Sequence, residues 1–244
     1  MSLVVGDAFG DLLKQCWAGQ AGPGVAAEVI ERDDGFTGHG DAARYFQGPE
    51  FWPDREVAFL GRAAGRILDI GCGAGRHMAA LRDRGAEVQG IDPSLGAVTV
   101  CRERGLAADV GDIDHLPTGV FDTLLLLGGN LALLGSPEAA SRRLAAMAAA
   151  AHPETVILGS NIDPYQTENP DHTGYHLRNI RANRPGGQLR VRVRHDETVT
   201  DWFDYWLASV AEFDDVVAAS PWRFEEVDGG RPGDPLYCAA LKLR

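Results

Sequence analysis

The chain has 244 residues, 45% hydrophobic and 24% charged, which is the balance of a folded globular protein and excludes a disordered or fibrous one. Lys and Arg number 23 against 35 Asp and Glu, so the net charge is −12 and no global electrostatic attraction to nucleic acid is expected. Cys16, Cys72, Cys101 and Cys238 are too scattered for a disulfide framework and no pair has metal-site spacing, so no metal is expected.

The first residues, MSLVVGDAFGDLL, have neither a basic leader region nor a long apolar run. The most apolar stretch, Leu124 to Leu134, is 11 residues and is interrupted by Gly128, Gly129 and Asn130. A membrane span needs ~20 residues. The expectation is a soluble, cytoplasmic protein with reduced thiols and no membrane partner.

In chain order, Phe9, Leu12, Leu13, Cys16 and Trp17 fall at helical spacing. Ala26 to Ile30 reads as a second short helix. Asp33-Asp34-Gly35 and Gly38-His39-Gly40 break the pattern. Asp41 suits the cap of a short turn through Phe46, and Pro53 suits the start of a helix reaching about Ala64. Arg66 to Ile70 then reads as a buried strand, followed by Gly71-Cys72-Gly73-Ala74-Gly75 and a helix from about Arg76 to Arg84. Glu87 to Ile91 is a strand closed by Asp92-Pro93, and Leu95 to Arg104 is a helix stopped by Gly105. Phe121 to Leu127 and Thr155 to Gly159 are apolar strands flanking an alanine-rich helix, Pro137 to Ala151. Alternating apolar strands and helices predict an α/β fold with a parallel sheet covered on both faces.

Beyond residue 160 the texture changes. Leu189, Val191 and Val193 alternate with Arg190, Arg192 and Arg194, the mark of an antiparallel strand with one wet face. Pro185-Gly186-Gly187 reads as a hairpin turn before it. Residues 198 to 207 read as an aromatic-rich strand and Val210 to Ala219 as a helix. Phe224 to Val227 and Leu236 to Leu243 read as a closing hairpin.

The sharpest signal is the strand, glycine loop and helix from Ile67 to His77. Such a loop is expected to leave backbone N–H groups unpaired at a helix N-terminus, and glycines let a ligand approach the backbone. Asp92 follows Gly71 by 21 residues at the next strand end, a spacing that suits a carboxylate accepting from a ribose diol. A tight strand–helix turn also favours glycine on structural grounds alone. The dinucleotide pattern G-x-G-x-x-G requires a third glycine where this chain has Arg76; the spacing here is G-x-G-x-G, preceded by Asp69.

The segment ILDIGCGAGRHMAALRDRGAEVQGIDPS, continued by GDIDHLP and FDTLLLLGGN, resembles the class I S-adenosylmethionine-dependent methyltransferases over about residues 65 to 160. The terminal LYCAALKLR is similar to that family's antiparallel last strand. The resemblance implies a Rossmann-like, doubly wound, mostly parallel seven-stranded sheet. With the elements read above, this divides the chain into an N-terminal helical lid over residues 1–64, a cofactor core over 65–160 and closing elements over 208–244; the antiparallel β insertion over 161–207 is a departure, since the family normally continues promptly from the fifth strand to a helix and the final hairpin. The implied cofactor is S-adenosylmethionine. Asp69, Gly71, Cys72, Gly73 and Gly75 would cradle its methionine part, Asp92 and Pro93 its ribose, and Asp112 and Ile113 its adenine. Gly128 and Asn130 would lie where the reactive methyl points, and Tyr45 would be a lid contact.

The acceptor is expected to be a small molecule, handled by a monomer or homodimer. His172, Tyr175 and His176 are the candidate bases. The six arginines at 178, 181, 184, 190, 192 and 194 suit an anionic acceptor, a solvated ribbon face, or an interface meeting the acidic surface of a second copy. Alternatives in the residues themselves are a cofactor-binding module without turnover and an NAD(P)-dependent oxidoreductase.

Overall fold

The computed structural model of the protein describes residues 3–244. Its elements begin β1 (Val4–Val5), α1 (Ala8–Ala18), β2 (Ala27–Arg32), β3 (Thr37–Asp41), α2 (Asp54–Leu60), β4 (Arg66–Ile70), α3 (Arg76–Arg82), β5 (Glu87–Asp92), α4 (Leu95–Glu103) and β6 (Ala108–Val110). They continue β7 (Thr123–Leu126), α5 (Pro137–Ala149), β8 (Val156–Ile162), α6 (Pro170–Arg181), β9 (Gln188–His195), β10 (Thr198–Val199), β11 (Phe203–Trp206), α7 (Val210–Ala218), β12 (Trp222–Arg231) and β13 (Asp234–Leu243). The larger sheet has seven strands in the order β12-β13-β8-β7-β4-β5-β6. It is mostly parallel, as in β5–β6 and β7–β8, and β13 runs antiparallel to both β8 and β12. The chain forms two compact units.

The first unit comprises residues up to Trp52, Asp69–Asp112 and Arg190–Phe203. Its α1 carries Leu12, Leu13 and Cys16 on its buried face, as the helical spacing requires. Asp7 caps this helix by accepting from the Gly10 N–H at 2.9 Å, and its other oxygen accepts from the Gly96 N–H of α4 at 2.7 Å. The two helices meet at glycines. A β-carbon on Gly96 would stand 2.5 Å from the Gly10 Cα, so only hydrogen fits.

Two expectations for the N-terminal section are corrected here. Ala26 to Ile30 is not a helix: Ala27–Arg32 is strand β2, paired antiparallel with β3 through the turn at Asp33-Asp34-Gly35. The β-branched Val29 and Ile30 favour that choice once a partner strand is available. β2 also pairs with β9, so a smaller sheet in the order β1-β10-β9-β2-β3 replaces an all-helical lid. Asp41 does cap a 3-10 turn, Ala42–Tyr45, by accepting from the Ala43 N–H.

The second unit comprises Pro53–Leu68, Ile113–Leu189 and Asp204–Arg244. Leu124, Leu125 and Leu126 of β7 and Ile157 and Leu158 of β8 are wholly buried, which explains their unbroken apolar runs. The segment after β8 is not purely β. Asn169 caps α6, with Pro170 at its first position, before β9 begins. Pro185-Gly186-Gly187 therefore links a helix to a strand rather than closing a hairpin. Asn179 of α6 fixes this link by donating to the carbonyls of Gly186 and Gln188 at 2.9 and 2.8 Å.

Candidate functional site

In the first unit the loop after β4 turns through three left-handed glycines. Gly71, Gly73 and Gly75 have φ of +74°, +55° and +78°, a region that side chains disfavour. The loop N–H groups were expected to be open, and four of the five are not. Gly71 and Cys72 both donate to the Ile91 carbonyl at 2.8 and 3.0 Å, and Gly75 donates to the Cys72 carbonyl at 2.8 Å. Gly73 donates to Oδ2 of Asp92 at 2.9 Å. Four of the five loop N–H groups are thus satisfied within the protein.

The glycines differ in task. A β-carbon on Gly75 would stand 2.5 Å from Leu106 and 3.0 Å from the Cys101 sulfur, so Gly75 lets α3 pack. A β-carbon on Gly73 would meet nothing closer than Phe9 at 3.7 Å and Tyr45 at 3.9 Å, so Gly73 faces a cradle closed by two rings. From α4, the Cys101 thiol donates to the Gly73 carbonyl at 3.1 Å and Arg104 donates to the Ala74 carbonyl. The Arg104 guanidinium also lies 5.8 Å from the Trp17 ring and 5.4 Å from Phe46, which stack on each other.

Asp92 ends β5 and is buried. Its second oxygen accepts from the Ser94 N–H at 2.9 Å. Burial pushes the carboxyl up to about 6. The two backbone N–H groups pull it down, and the charges of Asp7 and Asp69 add to the rise. The Cys72 thiol is held well above its ordinary value by its hydrogen bond with Cys101, by burial and by neighbouring carboxylates, so it is no nucleophile.

Tyr45 faces the loop. Its ring meets Phe9 edge-on at 5.2 Å. Its hydroxyl donates to Oε1 of Glu28 at 2.7 Å and accepts from Arg44 at 2.8 Å. Burial, followed by the Glu28 charge, raises the phenol far above its usual range. Asp112 follows β6 in this same unit. Sequence reasoning missed Phe9, Glu28 and Arg104, because nothing in local spacing links positions so far apart along the chain. β6 was missed because its run is only three residues.

In the second unit, Gly128 and Gly129 turn the chain after β7 with φ of +74° and +85°. The Gly129 N–H donates to Ser160 Oγ at 2.8 Å, and Tyr205 donates to the Gly129 carbonyl at 2.9 Å. Asn130 opens a 3-10 turn there, and Ile113 is buried. His172, Tyr175 and His176 all lie on α6. Tyr175 and His176 are buried, and the His176 ring meets Tyr165 edge-on at 6.0 Å.

Among the six arginines, Arg178 lies over the Tyr175 ring at 5.2 Å within the second unit, and the two on β9 with a carboxylate partner have a structural explanation. Arg192 and Arg194 on β9 both bind Glu31 of β2, at 2.7 and 2.6 Å, inside the first unit. Burial works against ionisation of Glu31, and the hydrogen bonds and charges of the two arginines outweigh it, holding the carboxyl below its usual range. Among the described residues no helix is long and apolar enough to cross a membrane.

Residues 67–154 match the family described as "Methyltransferase domain". A ubiquinone biosynthesis O-methyltransferase of Pseudomonas aeruginosa is 35% identical over 86 residues, spanning 31% of this chain and 35% of that protein. The chain thus spans about a third of the length of the curated relatives it matches. Among solved structures, a Bacteroides fragilis S-adenosylmethionine-dependent methyltransferase in complex with S-adenosyl-L-homocysteine superposes with a TM-score of 0.81 at 22% identity, over 99% of this chain and 98% of that one. The CcbJ methyltransferase of Streptomyces caelestis gives 0.58 at 15% identity, over 80% and 94%. The likeness of these two structures shows the fold. Residues 67–154 carry a methyltransferase domain within that fold.

Proposed function

We propose that the protein is an S-adenosylmethionine-dependent methyltransferase acting on a small-molecule acceptor. The observation that carries this reading is the glycine loop, four of its five N–H groups satisfied within the protein, beside the buried Asp92 carboxylate. A pyrophosphate-bearing dinucleotide needs free N–H groups at the loop, and this loop has spent most of them. A sulfonium cofactor makes no such demand. Each Asp92 oxygen accepts one backbone N–H and retains a further lone pair for a hydroxyl donor. The cradle at Gly73, which a β-carbon would enter, suits a ligand held against backbone. The residues therefore fit the cofactor.

In this reading Asp69 and the loop at Gly71, Cys72, Gly73 and Gly75 hold the methionine part. Asp92, beside Pro93, receives the ribose hydroxyls, and Asp112 receives the adenine amino group. The bound cofactor supplies a methyl group on a sulfonium, which is already an excellent leaving group. What the chain adds is orientation of the acceptor in line. A base is needed only where the acceptor must lose a proton, and His172, Tyr175 and His176 are the candidates. Support for a small-molecule acceptor comes from the ubiquinone-biosynthesis relative and the absence of a positive global charge.

The test is a screen of small phenols, amines, thiols and carboxylic acids with S-adenosylmethionine. Acceptor-dependent release of S-adenosylhomocysteine, with a product heavier by one methyl, is expected. Cofactor binding without turnover on any acceptor class would instead mark a non-catalytic module.

A further inference from the structure

Glu28 is a buried carboxylate that the cofactor reading leaves without a task. It lies on β2 directly opposite Gly40 of β3. One oxygen accepts the Tyr45 hydroxyl at 2.7 Å, the other accepts Arg44, and Arg44 also donates to the Tyr45 oxygen at 2.8 Å. The three side chains form a closed triangle. Gly40 makes room for it: a β-carbon there would stand 3.0 Å from Arg44 and 3.1 Å from Glu28.

The triangle uses the donor capacity of the Tyr45 hydroxyl. Its one proton goes to Glu28 and it accepts from Arg44, so the phenol is not offered to a ligand as a donor. What Tyr45 presents to the loop is its ring, with Cδ1 3.9 Å from the β-carbon position of Gly73. A buried carboxylate is a poor device for stability alone, because desolvation offsets much of the attraction to its partner. It is a good device for fixing one ring orientation, because a hydrogen bond to a charged acceptor is directional and strong.

We infer that Glu28 is a positioning residue for cofactor binding: by holding the Tyr45 hydroxyl it sets the aromatic wall opposite Gly73. This rests on the reading of the Gly73 loop as the S-adenosylmethionine cradle. Glu28 acts through Tyr45 and touches no ligand itself.

The experiment is calorimetric titration of the whole protein with S-adenosylhomocysteine, alongside thermal melts. Wild type, Glu28→Gln, Glu28→Leu, Tyr45→Phe and the double variant Glu28→Leu/Tyr45→Phe are compared. Glu28→Gln keeps a carbonyl acceptor for the hydroxyl and should bind within about threefold of wild type. Glu28→Leu and Tyr45→Phe should each weaken binding about tenfold, because the ring is then no longer held in place before the ligand arrives. The double variant should bind no more weakly than Tyr45→Phe alone, since both changes break one linkage. A purely structural Glu28 would lower the melt and leave affinity intact, or give losses that multiply; either result overturns the inference. If Glu28→Leu does not fold, Tyr45→Phe decides, because it removes only the hydroxyl: native affinity overturns the inference and a tenfold loss supports it. Failure of the wild type to bind S-adenosylhomocysteine would instead overturn the methyltransferase reading.

Discussion

The Gly73 N–H donates to Asp92 Oδ2 at 2.9 Å, so the loop that shapes the cradle and the acid that ends the next strand are one unit. The buried carboxyl, raised to about 6, makes this unit sensitive to pH. A carboxyl raised by folding lends stability that is fully present below its unfolded value near 3.8 and is lost as pH rises through about 6. Wild type should therefore lose about 3 kcal/mol relative to Asp92→Asn between pH 3.5 and 7.5. Paired denaturant titrations across that range check this; a constant difference contradicts it. Affinity for S-adenosylhomocysteine should move the other way, falling as pH drops through about 6, because ribose hydroxyls donate to the ionised form.

Gly96 and Gly10 carry the crossing of α4 and α1. Gly96→Ala places its β-carbon 2.5 Å from the Gly10 Cα and must push the helices apart. Overpacking of this kind costs about 1–3 kcal/mol. A melt shows it as a lower midpoint, and an unchanged midpoint would mean the crossing yields freely.

Gly73 and Gly75 should respond differently to the same change. Gly73→Val puts a β-branched side chain at a positive φ, facing Phe9 and Tyr45 rather than the core. The fold should survive at a cost of about 1–3 kcal/mol, with cofactor binding lost. Gly75→Val drives into Leu106 and Cys101 and should chiefly destabilise the fold. Circular dichroism melts report the fold and titration reports the site. The reverse pattern would exchange their roles.

The parallel core was legible because its information is local. β4, the glycine loop, α3, β5 and Asp92 follow one another within Arg66–Asp92, and each announces itself by an apolar run, a glycine or a strand-end acid. The antiparallel β13 was legible for the same reason. The N-terminal section was not. Val29 and Ile30 fit either helix or strand, and what decides is β9, more than 150 residues away, whose Val193 pairs with Ile30. The arginine alternation on β9 showed a strand but not the partner of its charges, since Glu31 faces Arg192 only through that same pairing. The Glu28–Arg44–Tyr45 triangle was hidden for the same reason, because it needs β2 and the turn after β3 brought together.

The most direct test of the account is calorimetry of the wild-type protein with S-adenosylhomocysteine and, separately, with NADH, repeated on Asp92→Ala. The account predicts binding of S-adenosylhomocysteine, no binding of NADH, and a loss of about 1–3 kcal/mol in Asp92→Ala, where the ribose hydroxyls lose a charged acceptor in a buried site. Binding of NADH with none of S-adenosylhomocysteine, or an unchanged dissociation constant in Asp92→Ala, would contradict it.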